Sequence, residues 1–281
     1  MVPHLAATRL NKLPWLKHRC KMPAMFTPDD REQLRAALVS AAETDPNLSG
    51  AAHLGSAATS CLDAWSDIDL ALCVASHASL KDVVSTWTAR MYSCHNAITH
   101  CDVQRGETLY RVFLLKSTLQ VDLSFWRATE FRASGPKFKL IFGSANEPAS
   151  APSVSVASSV GMAWLYALHV RSSLARGRLL QAEYMLSGMR DEMLALACMR
   201  FGVTASQGRG FDDLPDKEKN AFVSCYPCSI TKAELRRAFE ATMKALLSEI
   251  HYRNEDLLAR IEATLSEVAS ITTRTQRYRN C

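Results

Sequence analysis

Leu54–Val74 reads LGSAATSCLDAWSDIDLALCV, and its reading decides the fold. A Gly-Ser pair, Gly55-Ser56, follows a short apolar lead. Ten residues further on come two acids with one residue between them, Asp67 and Asp69, in the run DIDLALCV that reads as a strand from Asp67 to Val74. Side chains alternate along a strand, so Asp67 and Asp69 share one face while Ile68 and Leu70 take the other. Two carboxylates held side by side repel each other unless a cation lies between them. Oxygen ligands of this kind suit a hard divalent ion.

A third acid extends the pattern. Tyr110–Leu115 and Leu119–Phe125 are apolar-rich runs joined by Lys116-Ser117-Thr118, and the spacing predicts a hairpin. In the second run Leu119, Val121 and Leu123 share one face, and Gln120, Asp122 and Ser124 the other. A glycine turn lets a backbone approach phosphate closely, and Ser56 offers a hydroxyl and an amide N–H. Three carboxylates together fit one or two Mg²⁺ ions bridging the phosphates of a nucleotide.

Gly-Ser, about ten residues and then Asp-x-Asp followed by an apolar residue resembles the signature of the nucleotidyltransferase superfamily, and LQVDLSFW supplies the matching third carboxylate. A helical second half narrows the resemblance to the aminoglycoside and lincosamide adenylyltransferases. The resemblance implies transfer of a nucleoside monophosphate, usually AMP from ATP, to a hydroxyl group. Pyrophosphate is released. It implies Asp67 and Asp69 as metal ligands and Asp122 as third ligand and general base. Gly55, Ser56 and Ser66 would contact the nucleotide. It also implies Arg209, in the segment GRGFDDLP, at the nucleotide phosphates, where a guanidinium binds bidentately. Glu183, Arg190 and Asp191 fall on one predicted helix and are candidate acceptor contacts, a carboxylate suiting a polycationic aminoglycoside. The acceptor is expected in a cleft between domains.

The architecture expected is a mixed-sheet α/β domain followed by an all-α helical bundle. Residues 1–25 read as a basic, disordered extension, 26–150 as the catalytic domain, 151–270 as the helical domain and 271–281 as a polar tail. Thr27-Pro28-Asp29-Asp30 reads as a helix start, with a capping hydroxyl, a proline in the first turn and acids at the positive end. Further helices are expected at Leu80–Cys94, Ser158–Arg176, Leu179–Phe201, Asp216–Tyr226 and Thr231–Glu267. Residues 126–153 read as loop.

Lys and Arg number 33 against 28 Asp and Glu, a net charge of +5. Residues 1–22 carry Arg9, Lys12, Lys17, Arg19 and Lys21 and no acid, so the rest of the chain balances at zero. A neutral body speaks against a nucleic-acid partner, whose phosphates call for many cations. It leaves a small-molecule acceptor as the expected partner, with a protein or tRNA acceptor, or nucleotide binding without turnover, as the alternatives. No apolar run reaches the length of a membrane span. Nine cysteines, an odd number without framework spacing, suggest reduced thiols and a cytoplasmic location. Cys94-His95 with His100-Cys101 is too closely spaced for an ordinary zinc site, and Cys225-Tyr226-Pro227-Cys228 lacks a redox context. Asp63 reads as a structural turn residue.

Overall fold

The structure is a computed structural model that describes residues 25–133, 135, 137–148 and 155–270. The chain divides into two compact units, Met1–Ala151 and Pro152–Cys281. The expectations for residues 1–24 and 271–281 lie outside the described residues.

The first unit opens with α1 (Pro28–Thr44). Its start is a reciprocal capping box: Asp30 N–H donates to Thr27 Oγ1 (3.1 Å), and Thr27 N–H to the Asp30 carboxylate (2.9 Å). Asp45 ends the helix and accepts from the indole N–H of Trp87 at 2.9 Å. That bond satisfies the only polar side-chain atom of a fully buried tryptophan. Then follow β1 (Leu48–Leu54), the single helical turn α2 (Gly55–Ala58), β2 (Ile68–Val74) and α3 (Leu80–Cys94). The unit closes with β3 (Ala97–Arg105), β4 (Thr108–Leu115), β5 (Gln120–Arg127) and β6 (Phe138–Phe142).

The six strands form one sheet in the order β3-β4-β5-β2-β1-β6. β2 and β5 run parallel at its centre and the other pairs run antiparallel. This is the mixed α/β sheet expected, with β4 and β5 forming the expected hairpin. Alternation sorts its two faces. Ile68, Leu70, Leu72 and Val74 of β2, with Val121, Leu123 and Phe125 of β5, pack beneath α1 and α3 together with Leu38, Trp87 and Met91. Fully burying one such side chain contributes about 1.5–3 kcal/mol. The opposite face carries Ala52, Ala71, Cys73 and Trp126, covered by Phe131. The acids open onto this second face, at the end of the sheet where β2 and β5 begin.

Three sequence expectations need correction. Asp67 lies one residue ahead of β2, not inside it. β6, within the stretch read as loop, pairs antiparallel with β1. It is a five-residue edge strand between Gly/Pro-rich segments. So short an apolar run becomes a strand only through its neighbour.

The third correction concerns the second unit, which holds α4 (Val156–Ala175), α5 (Leu179–Phe201), α6 (Asp216–Val223), α7 (Lys232–His251) and α8 (Glu255–Ser270) around one apolar core. The helix expected over Thr231–Glu267 is therefore two. The chain turns at Tyr252–Asn254, and Asn254 restarts it by accepting from Leu257 N–H at 2.9 Å. Asn-Glu-Asp is a helix-start signature that the continuous apolar pattern obscured. At Gly188 of α5 a Cβ would press on the ring of Tyr166 in α4, so the two helices approach more closely there than an alanine permits. No helix among the described residues is long and apolar enough to cross a membrane.

Candidate active site

Asp69 of β2 stands directly across from Asp122 of β5 in the parallel register that pairs Ile68 with Val121 and Leu70 with Leu123. Burial of those four apolar partners fixes the register, because a slip of one residue would turn every side chain to the wrong face. Asp67 joins the pair from the loop ahead of β2. One carboxylate oxygen from each of Asp67, Asp69 and Asp122 lies within 4.8 Å of the other two, and all three residues are half-buried. Among the described residues this is the one group of three or more potential metal ligands.

Gly55 closes the site from the β1 side. Its φ is +59°, and a Cβ added there would overlap the Asp69 carboxylate. Only glycine gives both the left-handed turn and the space for the acid. Ser56 follows, half-buried, at the head of the α2 turn. On the β5 side Gln120, which sequence reasoning passed over, donates its amide to Asp122 Oδ1 (3.0 Å) and Asp67 Oδ2 (3.3 Å). The signal was present, since Gln120 and Asp122 are two apart on a strand and so share a face.

Burial, reinforced by the negative charge of Asp67 and opposed by the Gln120 bond, pushes the Asp122 carboxyl up to about 6. Clustered acids in partial burial cost electrostatic energy that a cation would relieve. The donors are all hard oxygens with no imidazole or thiolate, which fits Mg²⁺ or a similar ion rather than zinc.

The loop that delivers Asp67 is organised by Asp63 and Arg31. Asp63 Oδ1 accepts from Trp65 N–H (2.8 Å) and from the Ser66 hydroxyl (3.0 Å), and Ser66 Oγ accepts in turn from Asp63 N–H (3.0 Å). These bonds hold the Asp63 carboxyl below the usual carboxylate range. Asp63 is thus the turn residue expected, and the Ser66 hydroxyl is engaged in that turn. Arg31 of α1, only 3% exposed, donates to the carbonyls of Asp63 (2.5 Å) and Ser66 (3.1 Å). Nothing in the sequence tied Arg31 to residues more than thirty positions away.

In the second unit, Glu183 and Arg190 pair with each other at 3.4 Å. Arg190 is nearly buried, donates to Cys225 O and stacks on Tyr226. Asp191, on the next position of α5, is exposed, as is Arg209 after the 3-10 turn Ser206–Gly208. The Cys-His pairs assemble no metal cluster among the described residues, and His100 instead bonds Tyr92 Oη at 2.7 Å. The seven described cysteines are all free, and burial pushes the Cys225 thiol up, away from reactivity.

No protein-family model matches the chain, and no curated protein matches it. Among solved structures it is similar to an aminoglycoside 6-adenyltransferase from Bacillus subtilis, at 14% identity and a TM-score of 0.35, over 85% of this chain and 97% of that one. It is also similar to a nucleotidyltransferase-like protein from Exiguobacterium sibiricum, at 13% identity and a TM-score of 0.33, over 83% and 80% of the two chains.

Proposed function

We propose that this protein is a Mg²⁺-dependent nucleotidyltransferase that moves a nucleoside monophosphate, AMP in the first instance, from a nucleoside triphosphate to a hydroxyl of a small molecule. The observation that carries the reading is the Asp67–Asp69–Asp122 cluster, with Gly55 opening space beside Asp69. The three carboxylates would hold one or two Mg²⁺ ions. When bound, those ions would neutralise phosphate charge and polarise the α-phosphate.

This chain's own residues have separate tasks in the reaction. Gly55 and Ser56 meet the triphosphate, with Arg209 as a further phosphate contact and Ser66 keeping its loop in shape. Asp122, beside the acceptor, accepts the hydroxyl proton as that oxygen bonds to the α-phosphorus and pyrophosphate leaves. The neutral charge balance beyond the first 22 residues supports a small acceptor over tRNA. An aminoglycoside or lincosamide is the acceptor class first tested, with Asp191 as a contact for a cationic one and Glu183 already held by Arg190.

The test is mass spectrometry of an acceptor panel after incubation with Mg²⁺ and each nucleoside triphosphate. The expected result is an acceptor heavier by one nucleoside monophosphate, together with pyrophosphate. Label appearing only on protein or tRNA would move the reading to a macromolecular acceptor. Nucleotide binding with no product from any acceptor would make the protein a sensor.

A further inference from the structure

Next to the carboxylates, on the Asp67 side, the first unit carries a cavity of about 260 Å³ lined by Phe26, Trp65, Asp67, Leu119 and Gln120 among others. Trp65 is 74% exposed. An indole left in water forgoes the stabilisation that burying so large an apolar side chain would give. Yet its backbone is firmly held. The Trp65 N–H is bound to Asp63, and Arg31 grips the carbonyls of Asp63 and Ser66 on either side. A fixed backbone carrying an exposed ring is preorganised to meet a ligand.

The ring and its position identify the ligand's chemistry. An indole face stacks on planar heterocycles and does so with every nucleobase. Trp65 and Asp67 are two residues apart, which an extended chain spans in at most about 7 Å. The base and α-phosphate of one nucleotide are likewise separated by a single ribose. The cavity, about 260 Å³, has room for one planar ring system beside the indole.

We propose that Trp65 is the stacking platform for the nucleobase of the donor nucleotide, with Phe26 and Leu119 as apolar walls. This rests on the nucleotidyl-transfer reading and adds to it the place of the base. Stacking without an assigned base-edge contact predicts tolerance of all four bases with a preference for purines, which offer the larger face.

The test is calorimetric binding of Mg·ATP and of Mg·tripolyphosphate to wild type, Trp65→Ala and Trp65→Phe. Stacking worth about 1–3 kcal/mol corresponds to an affinity loss of about 5- to 150-fold for ATP in Trp65→Ala. Affinity for tripolyphosphate should stay within about twofold, and Trp65→Phe should recover most of the loss. Unchanged ATP affinity in Trp65→Ala, with wild type binding ATP, overturns this inference and leaves the enzyme reading standing. A variant that loses affinity for the acceptor but not for ATP overturns it as well. A wild-type protein that binds no nucleoside triphosphate overturns the enzyme reading, and this inference with it.

Discussion

Asp69 and Asp122 face each other across the parallel pair β2 and β5, although 52 residues of chain lie between them. The register that places them is set by apolar neighbours on the far face, so the site depends on the core beneath it. Asp67→Ala or Asp69→Ala should lower transfer at least about a hundredfold, because metal stabilisation of developing charge is worth several kcal/mol. Circular dichroism and thermal melting should show an intact fold. Full activity in either variant would remove the mechanism.

Asp122→Asn should separate stability from activity. The wild-type carboxyl, raised to about 6, binds its proton more tightly in the folded than in the unfolded chain. Its ionisation therefore destabilises the fold as pH rises from about 4 through 6, and the cost is complete above that window. Asparagine carries no such charge. The variant should exceed wild type by about 1–2 kcal/mol at pH 7.5, after allowance for partial exposure, and match it near pH 4. Activity should be lost throughout. Metal-free denaturant titrations at the two pH values check the sign, and equal stability at both would refute it.

Gly55→Ala should damage the site with all three acids still present. The new Cβ overlaps the Asp69 carboxylate, and alanine is strained at a φ of +59°. We expect about 1–3 kcal/mol of destabilisation and a marked loss of Mn²⁺ affinity by calorimetry. Ser56→Ala, which adds no atoms, should keep its metal affinity.

Arg200 is the polar keystone of the second unit. It binds Glu249 at 2.6 Å and Glu218 at 3.0 Å, and lies 4.3 and 4.4 Å from the ring centres of Phe201 and Tyr252. Glu249 is 1% exposed, so Arg200→Met strands a buried carboxylate. The expected loss is about 3–5 kcal/mol in denaturant unfolding, and Glu249→Gln in the same background should restore part of it. An Arg200→Met protein as stable as wild type would show that the network carries little.

Much of the site was legible because it lies in short, periodic pieces. Asp69 and Asp122 each sit on an alternating run, so local geometry alone put both on a face, and Asp67, two residues before Asp69, falls close by at the head of β2. β6 and the break at Tyr252–Asn254 were not legible. The first is a strand only by pairing with β1, and the second interrupts an apolar pattern that runs on through it.

By itself the sequence determined the elements that bear chemistry: the Gly-Ser turn, the three acids, the strands and helices of the first half and the helices of the second. Their local residue patterns are fixed by the chain's own periodicity. Tertiary structure alone decided that Asp69 meets Asp122, that Gln120 bridges Asp122 to Asp67, and that Arg31 holds the loop from which Trp65 projects. Each of those relations joins residues brought together by burial of the sheet's apolar face, and no pattern along the chain records which distant residues that burial makes neighbours.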